Sequence, residues 1–189
     1  MKPNEMDTSL LDQAILFAVE CHSGTERRGK GFPYIVHPME AMAIAATMTS
    51  DQEVLAAAAL HDVVEDTDVT LDEIRSRFGD RVARLVDTES DRIGEGLDWQ
   101  ARKVESLRRL TVASRDEKIV ALGDKLSNMR AIARDYTTRG EPFWNMFRIK
   151  DKSVHSWRYH ALLDALADLS DTYAYQEFEF LVKRIFEMG

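Results

Sequence analysis

Apolar residues recur at helical spacing along most of the chain. Leu10, Leu11, Ala14, Ile15, Ala18 and Val19 fall at that spacing, with Thr8 or Ser9 placed to cap the helix they predict. The segment 23–34 (SGTERRGKGFPY) breaks the pattern with Gly24, Gly29, Gly31 and Pro33, and reads as a loop. Pro38 suits the first turn of a second helix to about Thr49, where its missing N–H is not needed. Asp51 is placed to cap a third helix running through Leu55–Leu60 to about Val64, and its consecutive alanines at 56–59 allow close packing on more than one side. Thr70-Leu71-Asp72-Glu73 has the form of a capping box and opens a short helix to Phe78, which Gly79 separates from Val82–Val86.

A polar loop at 90–98 (SDRIGEGLD) precedes a helix over about 99–113. Asp116 begins the next helix, in which Ile119, Leu122, Leu126, Met129 and Ala133 form one apolar stripe. Val120, Ala121, Asp124, Asn128 and Ala131 lie opposite. A helix small or apolar on its second face is central, which makes Asp124 a candidate buried carboxylate with Lys125 or Asn128 as its partner. Residues 136–153 read as a long connection containing aromatics, followed by amphipathic helices around 156–169 and 175–187. There is no alternating strand pattern, internal repeat, linker or low-complexity tract. The pattern predicts an all-α fold in a single domain over 1–189.

Composition narrows the functional classes. At 44% hydrophobic and 31% charged residues the chain is an ordinary globular one. Its net charge of −8 argues against general affinity for nucleic acid or anionic membrane, but leaves a small anionic ligand open where positive charge or metal is gathered locally. The single cysteine, Cys21, excludes an internal disulfide, suits a reducing compartment and reads as a small buried residue. No apolar run reaches the roughly 18 residues of a membrane span. The opening MKPNEMDTSLLDQ lacks the blocks of a secretory signal, so the expectation is a mature cytoplasmic protein.

The chemistry concentrates in His61-Asp62-Val63-Val64-Glu65-Asp66, at the end of an otherwise apolar helix. Three carboxylates this close repel one another, and burying them unpaired costs several kcal/mol each, roughly. A divalent cation resolves that cost; a solvated acidic helix end with a core histidine is the plainer alternative. His37, before Pro38, and Asp124 would complete a set of two imidazoles and two carboxylates, which suits Mn²⁺, Fe²⁺ or Zn²⁺ better than Ca²⁺ or Mg²⁺. Arg27, Arg28 and Lys30 gather positive charge on the glycine-containing loop, against the acidic background. Glu65 or Asp66 is suited to orient a water and accept its proton.

The adjacent His61-Asp62 pair, with a histidine upstream and an aspartate downstream, resembles the HD metal-dependent phosphohydrolase superfamily. More closely, RRGKGFPYIVHP (27–38), HDVVEDT (61–67), LDEIRSRFG (71–79) and GDKLSNMR (123–130) resemble RelA/SpoT-type hydrolase domains, and among them the free-standing small alarmone hydrolases. WQARK (99–103), Trp144–Phe147 and WRYHALLDAL (157–166) extend the likeness over nearly the whole chain. The resemblance implies a compact HD-domain helical bundle with its metal site in a central cleft. It implies that His37, His61, Asp62 and Asp124 hold one Mn²⁺, with another divalent transition metal as the alternative. It implies hydrolysis of the 3′-pyrophosphate of ppGpp or pppGpp, releasing GDP or GTP and pyrophosphate, as in the stringent response. Glu65 and Asp66 match the family's catalytic pair, and Asn128, Arg27 and Arg28 match nucleotide-contacting positions. Lys30, Lys103, Lys150, Trp157 and Tyr159 are further candidates for contacts to phosphate or base, with core packing the competing role for the two aromatics.

Three departures stand out: Gly123 where the family often has alanine, Arg158 at an often aromatic position, and the acidic 90–98 loop. His22, His155 and His160 read as surface or core histidines, His160 being spaced to pair with Asp164. The expected partner is a nucleotide, with no nucleic acid and no membrane, and a homo-oligomer is left open. Two other readings compete: action on another nucleotide or phosphorylated metabolite, and a nucleotide-sensing module without activity.

Overall fold

A computed structural model describes residues 7–89 and 99–188, so the acidic 90–98 loop lies outside the described residues. Within them the fold is all-α, with no β-strand and one isolated backbone bridge between Glu26 and Pro33. The helices are α1 (Ser9–Cys21), α2 (Val36–Ala45), α3 (Gln52–Leu60), α4 (Val63–Asp66), α5 (Leu71–Phe78), α6 (Asp80–Glu89), α7 (Trp99–Thr111), α8 (Arg115–Arg139), α9 (Lys152–Ala165) and α10 (Tyr173–Phe186). Short 3₁₀ turns at Glu141–Met146 and Ala167–Leu169 flank α9.

Two helices form the centre. In α3, every residue from Val54 to Leu60 is buried, so the alanines are contacted from all sides, by α1, α2, α6 and α8. The 25-residue α8 packs against α2, α3, α6 and α10. Its start is a complete capping box: Ser114 Oγ accepts from Glu117 N (3.3 Å) and Glu117 Oε2 accepts from Ser114 N (2.6 Å). The expected box at Thr70 forms only by half. Thr70 Oγ1 accepts from Glu73 N, but the Glu73 carboxylate pairs with Arg77 one turn on. Gly79, at φ +90°, allows α5 to turn directly into α6.

Asp51 caps α3 as expected, its carboxylate accepting from Glu53 N at 3.0 Å. Arg81 of α6 bridges Asp51 (2.8 Å), Glu53 (2.6 Å) and Asp116 (2.8 Å), joining the starts of α3 and α8. The third helix does not run to Val64 without interruption, however. It ends at Leu60, and Asp62 adopts φ −94°, ψ −8°, the bridge region between helix and strand. The chain bends at the His61-Asp62 pair before α4 begins.

The C-terminal half differs in its boundaries. The connection expected from 136 starts after Arg139, where Gly140 at φ +63° ends α8 with its N–H donating to Tyr136 O at 2.8 Å. The aromatics that follow fill the core: Phe143 and Trp144 are buried, with His155 stacked on Trp144 at 5.0 Å. His160 pairs with Glu187 (3.0 Å) across to the end of α10, and not with Asp164. Cys21 is only half-buried. No helix among the described residues is long and apolar enough to cross a membrane.

Candidate metal centre and cleft

The bend after α3 and the start of α2 face the same stretch of α8. His37 is the second residue of α2, and its backbone N–H is held by Tyr34 O at 2.9 Å. His61 closes α3, Asp62 follows it, and Asp124 projects from the middle of α8. His37, His61 and Asp62 each offer a ligand atom within 4.8 Å of the others. Asp124 joins them: its Oδ1 lies 3.1 Å from His37 Nε2 and 3.6 Å from His61 Nε2. Asp62 Oδ2 lies 3.4 Å and 3.1 Å from the same two nitrogens. Both imidazoles and Asp124 are buried.

The protons of the imidazoles are committed elsewhere. His61 Nδ1 donates to Ala58 O at 2.8 Å, which leaves Nε2 a lone pair, and this nitrogen is buried without a hydrogen-bond donor. His37 Nδ1 lies 2.8 Å from Ser127 Oγ, and the serine hydroxyl in turn donates to Glu40 Oε2 at 2.8 Å. Ser127 therefore accepts from His37 Nδ1–H, so His37 Nε2 also carries a lone pair. With both rings neutral, two nitrogen and two carboxylate lone-pair donors face one another, and a cation can take the place a proton otherwise holds between them. That donor set fits a divalent transition metal, with histidine protons anchored in an outer shell as metal-ligating imidazoles require.

The electrostatics agree. Burial alone would lower the His61 pKa, but Asp62 and Asp124 outweigh it and hold it well above the ordinary imidazole value. The negative potential responsible would equally hold a cation. Asp62 is half-buried, which disfavours its charge, yet His61 and His37 bring its pKa well below the ordinary carboxylate value. Burial opposes the charge on Asp124 too, and Lys125 more than compensates. Lys125 contacts Asp124 Oδ2 and donates to Glu89 at 3.0 Å; these carboxylates overcome its own burial and raise its pKa. Both partners foreseen for Asp124 are thus present, since Asn128 Nδ2 also donates to it.

Around these residues opens a cleft of about 360 Å³. The basic loop forms one wall. It is tied by Arg27 N to Phe32 O (3.0 Å) and Tyr34 N to Thr25 O (2.8 Å), and by Arg27 Nη2 to Asn128 Oδ1 (2.8 Å). Arg27, Arg28 and Lys30 all line the cleft, although Lys30 is ion-paired with Asp135. Lys103 of α7 and Arg158 of α9 line it from other elements, and Glu65 faces it from α4, exposed to solvent. Asp66 is exposed too, but does not line the cleft.

Three expected contacts fall outside it. Tyr159 is buried in the core, its ring stacked on Phe186 at 5.7 Å and near Phe178, so burial removes it from any ligand. Trp157 is 38% exposed on the neighbouring face of α9, one residue from the cleft-facing Arg158. Lys150 is exposed just before α9 and is not part of the lining.

Four residues carry more of the site than the sequence reading assigned them. Tyr34 donates its hydroxyl to Asp62 Oδ2 at 2.6 Å, and burial together with Asp62 raises the phenol pKa far above normal. Its position three residues before His37 was the available signal. His22, buried, packs on the Tyr34 ring at 4.8 Å, and burial lowers its pKa. Ser127 and Glu40 gave no local signal, being joined only by the fold.

A family model described as HD domain matches residues 14–142. A relative from Aquifex aeolicus (strain VF5), named guanosine-3′,5′-bis(diphosphate) 3′-pyrophosphohydrolase, is 37% identical over 125 residues, covering 65% of this chain and 18% of that protein. A relative from Oryza sativa subsp. japonica, named putative GTP diphosphokinase RSH1, chloroplastic, is 38% identical over 144 residues, 70% of this chain and 16% of its own length. The chain thus spans less than a fifth of either relative. A solved structure of a metazoan ortholog of SpoT that hydrolyzes ppGpp superposes with a TM-score of 0.74 at 23% identity, covering 97% of both chains, and shows the same fold.

Proposed function

The chain belongs to the HD-domain family, and from that premise we propose that it is an Mn²⁺-dependent 3′-pyrophosphohydrolase acting on ppGpp or pppGpp. One observation carries the reading: four lone-pair donors converge at the floor of a cleft whose walls bear Arg27, Arg28, Lys103 and Arg158. Such a cleft suits a ligand with several phosphates in an otherwise acidic protein. The activity named for the Aquifex relative supports the choice of substrate.

His37, His61, Asp62 and Asp124 would hold the cation. When bound, it supplies Lewis-acid activation of water and of a phosphoryl oxygen. The chain's own side chains do the rest. Arg27 and Arg28 bind phosphate oxygens, their forked donors matching that geometry, while Asn128 fixes Arg27 through its amide oxygen. Lys103 and Arg158 neutralise charge on the far wall. Glu65, exposed in the cleft, accepts a proton from the attacking water. Water adds to the phosphorus attached to the ribose 3′ oxygen as that P–O bond breaks. The 3′ oxygen leaves with a proton, giving the 3′-hydroxyl and pyrophosphate. Phosphoryl transfer of this kind asks mainly for positioning and charge stabilisation, which suits the limited set of reactive groups.

Arg158 keeps a second reading alive, the same centre acting on another phosphorylated nucleotide, because it puts a cation on a wall where a base would otherwise find an aromatic. Incubation of the manganese-loaded chain with ppGpp, pppGpp and a nucleotide panel separates the two. Pyrophosphate release from ppGpp above a metal-free control is expected. Absence of release from ppGpp, with turnover of another nucleotide, would transfer the assignment to that substrate.

A further inference from the structure

His37 and His61 present equivalent Nε2 atoms to the centre but are anchored in different ways. His61 Nδ1 donates to Ala58 O, a backbone group that no substitution removes. His37 Nδ1 donates to a side chain, Ser127 Oγ, on the neighbouring helix. Ser127 is buried between the two helices.

A serine hydroxyl has one proton, and its direction decides the state of the ring. If Ser127 donated to His37, the imidazole proton would move to Nε2 and block the lone pair. Glu40 prevents this, because its Oε2, 2.8 Å from Ser127 Oγ, is an acceptor and draws the hydroxyl proton outward. Glu40 is itself held: Arg130 donates to its other oxygen at 3.1 Å, and Arg130 grips Glu177 of α10 with two bonds of 2.7 Å. His37 thus donates to Ser127 and Ser127 to Glu40, which also accepts from Arg130.

We propose that Ser127 and Glu40 are positioning residues that fix His37 as the Nδ1–H tautomer, and so set the affinity of the centre for a divalent cation. The inference rests on the four-ligand centre of the functional reading but not on its substrate. Partners in this outer position change metal affinity about 10- to 100-fold when removed. Ser127→Ala deletes the acceptor. Glu40→Leu frees the Ser127 proton to point at His37, and lies at a half-exposed position where a leucine is accommodated.

The test is calorimetric titration of the metal-free full chain with Mn²⁺ and no nucleotide, together with long-range ¹H–¹⁵N spectra of its histidines. The parent is expected to show His37 protonated at Nδ1. Ser127→Ala is expected to bind Mn²⁺ about 10-fold or more weakly, with its helical circular dichroism retained. Glu40→Leu is expected to weaken binding and to shift His37 toward the Nε2–H form, a change that loss of packing alone would not produce. Should Ser127→Ala not fold, Glu40→Leu decides alone. A dissociation constant for Glu40→Leu within about twofold of the parent, or an unchanged His37 tautomer, overturns the proposal. Weakened Mn²⁺ binding in a chain that hydrolyses no nucleotide would leave the relay standing and remove only the functional reading.

Discussion

Gly123 stands immediately before Asp124, and two opposed effects meet there. Alanine would favour the interior of α8 by about 1 kcal/mol, so helix propensity alone calls Gly123→Ala stabilising. Space says otherwise. A Cβ on Gly123 would lie 2.6 Å from the carbonyl oxygen of Ala41 in α2, a backbone atom with no rotamer to change. A carbon–oxygen contact wants about 3.3 Å, so α2 and α8 would have to separate by roughly 0.7 Å. Overpacking of this kind costs about 1–3 kcal/mol, and with backbone on both sides the upper part of that range applies. The net expectation is a loss of about 1–2 kcal/mol, or roughly 2–8 °C in the melting temperature for a chain of this size. The same separation pulls Asp124 from His37, which are 3.1 Å apart across that interface, so Mn²⁺ affinity should fall too. Urea unfolding of the metal-free protein and Mn²⁺ titration measure the two effects separately. A Gly123→Ala protein that is more stable than the parent and binds Mn²⁺ equally well would refute the reasoning.

Glu65→Gln should bind Mn²⁺ normally while turnover falls about 100-fold or more, the usual scale of general-base loss; unaltered single-turnover rates would deny Glu65 its role. Arg158→Ala should raise KM with little change in kcat, as expected of a group that holds ground and transition states alike, and an unchanged KM would leave that wall without a part in binding. The hydrogen bond to Glu187 raises the His160 pKa. A raised folded-state value means that this stabilisation is fully present below the ordinary histidine pKa and lost as pH climbs through the folded one. The stability difference between parent and His160→Gln, read from urea midpoints, should therefore shrink between mildly acidic and alkaline pH, whereas a difference independent of pH would contradict it.

Local signals carried far in this chain. Helical spacing of apolar residues located α1 and α8, the Thr70 box marked the start of α5, and Asp51 marked the start of α3 because its carboxylate has an N–H to accept from. The break after Leu60 was illegible: no glycine or proline interrupts residues 60–64, and the bend arises where Asp62 is drawn to Tyr34 and the two imidazoles, all distant in sequence except His61. The aromatics after Tyr136 looked like a loop because a 3₁₀ turn has no hydrophobic period of its own. Within the site, the His-Asp pair and its two distant neighbours, His37 and Asp124, were readable from residue type and resemblance. Trp157 and Arg158 were not separable, since only the rotation of α9 decides which of two neighbours meets the cleft. Glu40 and Ser127, 87 positions apart, are ordinary surface residue types until α2 lies on α8.

Within five consecutive positions of α8, four side chains reach four different neighbours. Asp124 faces the imidazoles, Lys125 reaches α6, Ser127 reaches α2, and Asn128 clasps the basic loop. Each residue of a helix is rotated by roughly 100° from the last. A single-residue insertion or deletion upstream in α8 would thus swing all four away from their partners in one event, whereas the stretch after Arg139 carries no such registration. Length variation among descendants of this chain should accordingly collect beyond the end of α8 and spare its first half.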